Sequence, residues 1–293
     1  MKACYGLLAP AKLNLFLHVV GRRPDGYHLL ESLFVPIDWY DTLHLERRTD
    51  GRLQRHDLGT PLPADDLCLR AARRLRDASG IADGVDIHID KRIPSGAGLG
   101  GGSSDAATVL IALNRLWGLN WPRQRLMTLA LQLGADLPFF LGRGPACVEG
   151  IGEVLHDIAL PALRLAVLKP PESLPTKAIF ESPLLLRSES LAIVAGSFAS
   201  TASAGLDWRG QRNDLQAAAV SQCPQVGQAL QALDAAFGNS RMTGSGSAVF
   251  AEVGASAFPM ATSFEACVQV PEGWEGRICH SLESMPLAEW IPG

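Results

Sequence analysis

Five of the seven positions from 96 to 102 are glycine in the segment Pro94-Ser95-Gly96-Ala97-Gly98-Leu99-Gly100-Gly101-Gly102-Ser103-Ser104-Asp105. Because glycine has no Cβ, this backbone tolerates positive φ and lets a ligand approach closely. The alternation of residues 85–93 predicts a strand before the segment, and the apolar stripe of residues 106–117 predicts a helix after it. A loop between a strand and a helix presents unpaired N–H groups, so the segment indicates an anion-binding site.

The two serines that close the segment carry hydroxyls suited to such a site. We expect Ser103 or Ser104 to cap the helix, or to offer a hydroxyl to a phosphate or its metal. A flexible turn without a ligand is the alternative, although so many glycines weaken a fold unless close approach requires them.

A dinucleotide-binding dehydrogenase is a further alternative, because Gly96, Gly98 and Gly101 match G-x-G-x-x-G. Such a site needs an acidic residue about 20 positions later, and residues 106–135 contain no Asp or Glu. The Walker Lys-Ser or Lys-Thr pair, H-R-D, D-F-G, H-E-x-x-H and G-x-S-x-G are also absent from the sequence. The common kinase, zinc-protease and serine-hydrolase motifs are therefore excluded.

Composition limits the class of protein. The 293 residues are 47% hydrophobic and carry a net charge of −4, which predicts a folded core and excludes a strongly basic nucleic-acid-binding surface. Six widely spaced cysteines form no C-x-x-C pair, which favours a reducing cytoplasm over a disulfide framework. Polar residues interrupt the apolar stretch 6–20 too closely for a signal peptide, and we expect no membrane span.

The hydrophobic patterns predict two mixed α and β domains, residues 1–155 and 156–293. In the first, strands at 11–20 and 29–39 flank a turn at 22–28, and helices follow at 65–79 and 123–133. In the second, we expect strands at 163–168, 248–253 and 277–281, and helices at 189–198, 216–237 and 259–266.

Two charged residues elsewhere have ambiguous surroundings. Lys12 lies on the polar face of an apolar strand, where a lysine is most often merely solvated at its tip. Asp136 lies two positions before Pro138, so its carboxylate either takes part in catalysis or only caps the start of a helix.

Three separated segments, 10–14 (PAKLN), 94–107 and 243–248 (TGSGSA), resemble the signatures of the GHMP kinases. This family of small-molecule kinases includes galactokinase, homoserine kinase and mevalonate kinase. Segments 23–28 (RPDGYH), 134–140 (GADLPFF) and 213–215 (NDL) are similar to those of the branch that phosphorylates the 2-hydroxyl of the cytidine diphosphate ester of methylerythritol, in the non-mevalonate isoprenoid pathway.

The resemblance implies an α+β, two-domain GHMP kinase fold, with an N-terminal ATP-binding domain like domain 2 of ribosomal protein S5 and a ferredoxin-like C-terminal domain. The active site would lie in the cleft between them, and the protein would be a monomer or a homodimer. ATP would bind there with Mg²⁺ bridging its phosphate oxygens. The implied ATP-binding residues are Pro94, Gly96, Ala97, Gly98, Leu99, Gly100, Gly101, Gly102, Ser103, Ser104, Asp66 and Lys91.

The resemblance also implies how the acceptor is bound and activated. Asp136 would take the proton of the attacking hydroxyl, and Lys12 would stabilise the alkoxide. Tyr27 and Phe180 would sandwich the cytosine while His28 bonds its edge. The implied acceptor-binding residues together are Asn14, Tyr27, His28, Thr176, Phe180, Gly244 and Ser245.

Asp66 departs from the family pattern, which commonly has Asn there as an adenine contact, and Lys91 is expected to offset its charge. The rival functions are another GHMP kinase such as homoserine or mevalonate kinase, a catalytically silent nucleotide-binding protein, and a dehydrogenase.

Overall fold

The computed structural model describes residues 1–188, 208–254 and 263–292. A six-stranded sheet forms the first layer, in the order β3-β4-β2-β5-β6 with β1 paired to β2. Only the β3–β4 pair is parallel within this sheet. Its strands are β1 (Ala3–Arg22), β2 (His28–Arg48), β3 (Leu53–Asp57), β4 (Gly84–Asp90), β5 (Ala146–Gly150) and β6 (Val154–Asp157). The long antiparallel β1–β2 pair provides one wall of the site.

Four helices belong to the first layer: α1 (Leu67–Ser79), α2 (Gly101–Leu116), α3 (Arg123–Leu131) and α4 (Leu137–Phe140). α2 is buried on almost all sides from Ser104 to Asn114, which its small and aliphatic residues permit. α1 is amphipathic and ends where Gly80 adopts φ 70°, a conformation that glycine adopts without strain.

The second sheet has four strands in the antiparallel order β10-β7-β9-β8. These are β7 (Arg164–Lys169), β8 (Arg241–Met242), β9 (Val249–Glu252) and β10 (Glu275–His280), and the associated helices are α5 (Thr176–Phe180), α6 (Gln216–Gln222) and α7 (Pro224–Phe237). Short 3₁₀ helices lie at Trp208–Gly210 and Ala288–Trp290. The predicted fold class is confirmed by this arrangement and by the comparisons below.

The two layers are not two contiguous halves of the chain. The predicted boundary at residue 155 falls inside β6, which pairs with β5 and continues the first sheet to Asp157. The end of the chain also returns to the first layer, where Met285, Leu287 and Ile291 join its core. The division into two domains at residue 155 stays a prediction.

Several predicted bounds were wrong for local reasons. The helix predicted at 216–237 is two helices, because Pro224 has no N–H to continue the first one. α2 begins at Gly101 rather than at residue 106. The predicted helix at 189–198 lies outside the described residues, as does the first half of the one at 259–266. The described half, residues 263–266, forms bends and a turn instead of a helix. Within the described ranges, no helix is both long and apolar enough to cross a bilayer.

Candidate active site

A cavity of about 1000 Å³ lies between the two sheets and collects nearly all of the predicted site residues. Its walls come from β1 and the turn that follows it, from the glycine segment 94–105, called the glycine loop, and from the start of α2. The loop before α4, helix α5 and the second glycine segment, residues 243–248, complete them. The predicted site residues among its lining are Lys12, Asn14, Tyr27, His28, Lys91, Pro94, Gly96, Ala97, Gly98, Leu99, Gly100, Gly101, Gly102, Ser103, Asp136, Thr176, Phe180, Gly244 and Ser245.

The glycine loop packs against protein as well as facing the cavity. Gly98 has φ 74°, and a Cβ there would lie 2.5 Å from the carbonyl oxygen of Thr243. On either side, the Ala248 N–H donates to Ala97 O at 3.1 Å, and the Lys12 N–H donates to Leu99 O at 2.9 Å. We predicted that the glycines allow a ligand to approach closely. At Gly98, however, glycine is required because the protein's own backbone leaves no room for a side chain.

The start of α2 presents free donors to the cavity. Its N-cap is Gly100, in the left-handed conformation with no side-chain capping bond, so the prediction that Ser103 or Ser104 caps the helix was wrong. The first N–H groups of a helix have no intrahelical acceptor, and here they belong to Gly101, Gly102 and Ser103. Ser104 is fully buried, and its Oγ has no hydrogen-bond partner among the described residues.

Lys12 and Asp136 meet in the cavity. Lys12 Nζ lies 3.5 Å from Asp136 Oδ2, and only 3% of Lys12 is exposed. The alternative of a solvated lysine is therefore wrong. Asp136 occupies the N-cap position of α4 but makes no capping hydrogen bond, so its carboxylate, 37% exposed, is open to a ligand.

Neighbours on β1 and β2 hold the lysine in place. Lys12 Nζ donates to Asn14 Oδ1 at 2.6 Å and lies 4.6 Å from the centroid of the Phe34 ring. Asn14 is held in turn by Nδ2 donating to Ser32 Oγ at 2.9 Å and by its N–H donating to Thr243 Oγ1 at 2.8 Å. We did not predict Ser32 or Phe34, because only the β1–β2 register places them beside Asn14.

The aromatic wall differs in detail from the expected sandwich. The rings of His28 and Phe180 stack with centroids 5.1 Å apart and an angle of 23°, whereas Tyr27 is 60% exposed at the rim. Burial, helped by the charges of Arg22 and Arg187, lowers the pKa of His28, which favours the neutral ring. All three predicted aromatic side chains thus line the cavity, but His28 rather than Tyr27 covers Phe180.

Two hydroxyls lie beside this aromatic wall. Thr176 Oγ1 and Ser245 Oγ are 2.8 Å apart, so α5 and the second glycine segment are joined at the cavity surface.

Asp66 and Lys91 have different partners from those expected. Asp66 Oδ1 accepts the N–H of Leu69 at 3.0 Å, which caps α1, and lies 3.0 Å from Arg55 Nη1. It is not among the residues that line the cavity, so this placement does not support a contact with adenine. Lys91 does line the cavity, but it pairs with Asp41 and Asp105 instead of offsetting Asp66.

Comparisons with known proteins agree with this fold. Residues 66–144 match the model of the GHMP kinases N terminal domain, and residues 200–259 match that of the GHMP kinases C terminal domain. The chain belongs to the GHMP kinase family of small-molecule kinases.

The relatives include more specific names. The chain is 56% identical over 290 residues to a 4-diphosphocytidyl-2-C-methyl-D-erythritol kinase of Methylibium petroleiphilum, covering 99% of each chain. A crystal structure of 4-(cytidine 5'-diphospho)-2C-methyl-D-erythritol kinase is similar with a TM-score of 0.72 and 34% identity, over 93% of this chain and 98% of that one. Homoserine kinase from Cytophaga hutchinsonii shares the fold alone, with a TM-score of 0.67 and 18% identity over 97% and 96% of the two chains.

Proposed function

We propose that this protein transfers the γ-phosphate of ATP to the 2-hydroxyl of 4-diphosphocytidyl-2-C-methyl-D-erythritol, a step of the non-mevalonate isoprenoid pathway. The observation that carries the proposal is the common cavity. The glycine loop, the aromatic wall and the Lys12–Asp136 pair all line this one cavity. Relatives of this name at 56% and 51% identity over almost the whole chain support it.

The aromatic wall favours this acceptor over homoserine or mevalonate. A pyrimidine base stacks on aromatic rings with about 1–3 kcal/mol per base, and Tyr27, His28 and Phe180 offer such rings at one end of the cavity. Homoserine and mevalonate have no nucleobase, so these side chains would have nothing to hold. The acceptor end of the cavity therefore fits a nucleoside diphosphate ester.

Lys12 and Asp136 supply the chemistry at the acceptor hydroxyl. The Asp136 carboxylate accepts a hydrogen bond from that hydroxyl, orients it and takes its proton as the bond to phosphorus forms. Lys12, held by Asn14 and kept out of water, places a positive charge beside the oxygen that becomes negative. Phosphoryl transfer needs mainly positioning and charge compensation, and a preorganised ammonium next to a carboxylate provides both.

The donor end of the cavity fits ATP and Mg²⁺. The free N–H groups at the start of α2 and the favourable end of its dipole suit a triphosphate. Ser103 lines the cavity, and behind it the buried Ser104 hydroxyl lacks a protein partner among the described residues, so Ser103 is the proposed metal holder. Mg²⁺ keeps few protein ligands when phosphates supply the others. When bound, it would neutralise charge that develops on the phosphate oxygens.

We propose a cytoplasmic enzyme that takes a free small molecule and no nucleic acid. The net charge of −4 and the six free cysteine thiols support this environment.

The proposed reaction is tested by coupled ADP release with Mg-ATP and three acceptors: the cytidyl ester, homoserine and mevalonate. We expect turnover with the cytidyl ester alone. Turnover only with homoserine or mevalonate would overturn the choice of acceptor, and no ATP consumption with any alcohol would favour a silent nucleotide-binding protein. Binding of NAD in a titration would instead revive the dehydrogenase.

A further inference from the structure

A buried ion triad lies behind the glycine loop and is not used by the steps above. Lys91 Nζ lies 2.7 Å from Asp105 Oδ2 and also pairs with Asp41 Oδ2. Asp41 and Asp105 are 0% and 1% exposed, whereas Lys91 reaches the cavity surface. We call these three residues the Asp41 triad.

Asp41 also holds the entrance of the glycine loop. Its Oδ1 accepts the N–H of Arg92 at 2.5 Å and that of Ile93 at 2.8 Å. From the same strand, Trp39 Nε1 donates to Arg92 O at 2.8 Å. Side chains of β2 therefore hold the backbone where β4 passes into the loop.

Lys91 links this entrance to the exit of the loop. Its ammonium joins Asp41 on β2 to Asp105, which lies in the second turn of α2, and it would be 3.3 Å from a Cβ at Gly101. Asp105 makes fewer contacts to the loop and to Lys91 than Asp41 does, because its Oδ1 is buried without a hydrogen-bond partner among the described residues. Asp41 is thus the residue on which both ends of the loop depend.

Stability alone does not account for such an arrangement. Buried ionisable groups are costly to desolvate, and apolar side chains of the same volume often stabilise a fold as well or better. The burial of Asp105, together with the charge of Asp41, raises the pKa of Asp105 although Lys91 opposes this. The Asp41 carboxylate, both oxygens of which are bonded, does hold two backbone donors and an ammonium at defined positions. A loop with five glycines in seven positions otherwise loses much entropy on ordering.

We propose that Asp41 is a positioning residue for the phosphate donor. It fixes Lys91 and the entrance of the glycine loop, so that the N–H groups of the loop stand ready for the triphosphate before ATP arrives. Lys91 and the glycine loop line the same cavity as Tyr27, His28 and Phe180, and the proposed function assigns the loop to the donor and these side chains to the acceptor. This inference rests on the proposed function, since it assigns the loop to ATP.

The test compares Asp41→Asn, Asp105→Asn and Asp83→Asn in steady-state kinetics with both substrates varied. Asp83→Asn is the matched control, because Asp83 lies at the opposite end of β4 and pairs only with Arg47 among the described ion pairs. We expect Asp41→Asn to raise KM for ATP at least about tenfold, as the loss of a buried charge-assisted contact predicts, with KM for the acceptor unchanged. Asp105→Asn should raise KM for ATP less, and Asp83→Asn should change neither KM.

Two results would overturn the role of Asp41: a KM for ATP equal to that of Asp83→Asn, or an equal rise in the KM of both substrates. If thermal melting shows that Asp41→Asn is unfolded, Lys91→Met replaces it, and an unchanged KM for ATP in that variant overturns the proposal. Calorimetric titration of each folded variant with ATP separates this inference from the proposed reaction. A wild type that binds ATP but turns over no acceptor contradicts the reaction only, while weakened binding in Asp41→Asn still supports the positioning role.

Discussion

Replacement of Lys12 by Met should separate catalysis from folding. The variant keeps most of the buried volume but removes the ammonium that lies 3.5 Å from Asp136 Oδ2. A full negative charge on the acceptor oxygen at a comparable distance from the ammonium would be stabilised by roughly 5 kcal/mol at an effective dielectric constant of about 20. Because Asp136 is 37% exposed, the site is open to water, which screens part of this attraction. We expect the activation free energy to rise by at least about 2.7 kcal/mol, which is a hundredfold loss of kcat.

Stability should respond very differently to the same change. Met relieves the desolvation of a buried ammonium, although Asn14 Oδ1 loses the donor that lies 2.6 Å away. These effects oppose each other, and we expect the free energy of unfolding to change by about 1 kcal/mol or less. Thermal melting by circular dichroism measures this.

The assay is coupled ADP release at saturating Mg-ATP and cytidyl ester, applied to Lys12→Met, Asp136→Asn and the double variant. Each single variant should lose at least about a hundredfold in kcat. The double variant should lose much less than the product of the two, since groups that act as a unit are not additive. Near-normal turnover in either folded single variant would refute the catalytic assignment.

Three further changes have distinct readouts. Gly98→Ala should lower the melting temperature by several degrees more than Gly118→Ala. Both glycines have positive φ, 74° and 69°, but a Cβ at Gly98 would lie 2.5 Å from a carbonyl oxygen, while one at Gly118 would have no atom of the described residues within 4 Å. Equal melting temperatures would contradict this. Phe180→Leu should raise KM for the acceptor by about 5- to 150-fold at unchanged KM for ATP, because stacking is worth about 1–3 kcal/mol, and a rise in KM for ATP alone would reverse the two ends of the cavity. Burial lowers the pKa of His18, so the unfolded chain takes up a proton before the folded one as pH falls below about 6.5. The free energy of unfolding then declines by up to about 1.4 kcal/mol per pH unit. Melting at pH 5.5 and 7.5 should show this dependence reduced in His18→Gln but kept in His88→Gln.

Local sequence was sufficient to predict the elements around the glycine loop. The alternation before it and the apolar stripe after it encode backbone geometry within a few residues, and β4 and α2 lie where these patterns predict them. The predicted start of α2 was wrong by five residues, because glycines in the first helical turn give no hydrophobic periodicity. The resemblance to the GHMP kinases was confirmed, since it depends on separated motifs in a fixed order.

Contacts between distant residues required the folded chain. Lys12 was ambiguous on its own strand until the cavity brought Asp136 beside it, and only the folded chain shows that Asp66, the expected adenine contact, caps α1 through Oδ1. Asp41 had no sequence pattern to single it out, because its partner Lys91 is 50 positions away and reaches it only through the pairing of β2 with β4. Hydrophobic periodicity specifies which face of an element is buried, whereas the meeting of charged side chains depends on strand register and on how the layers pack.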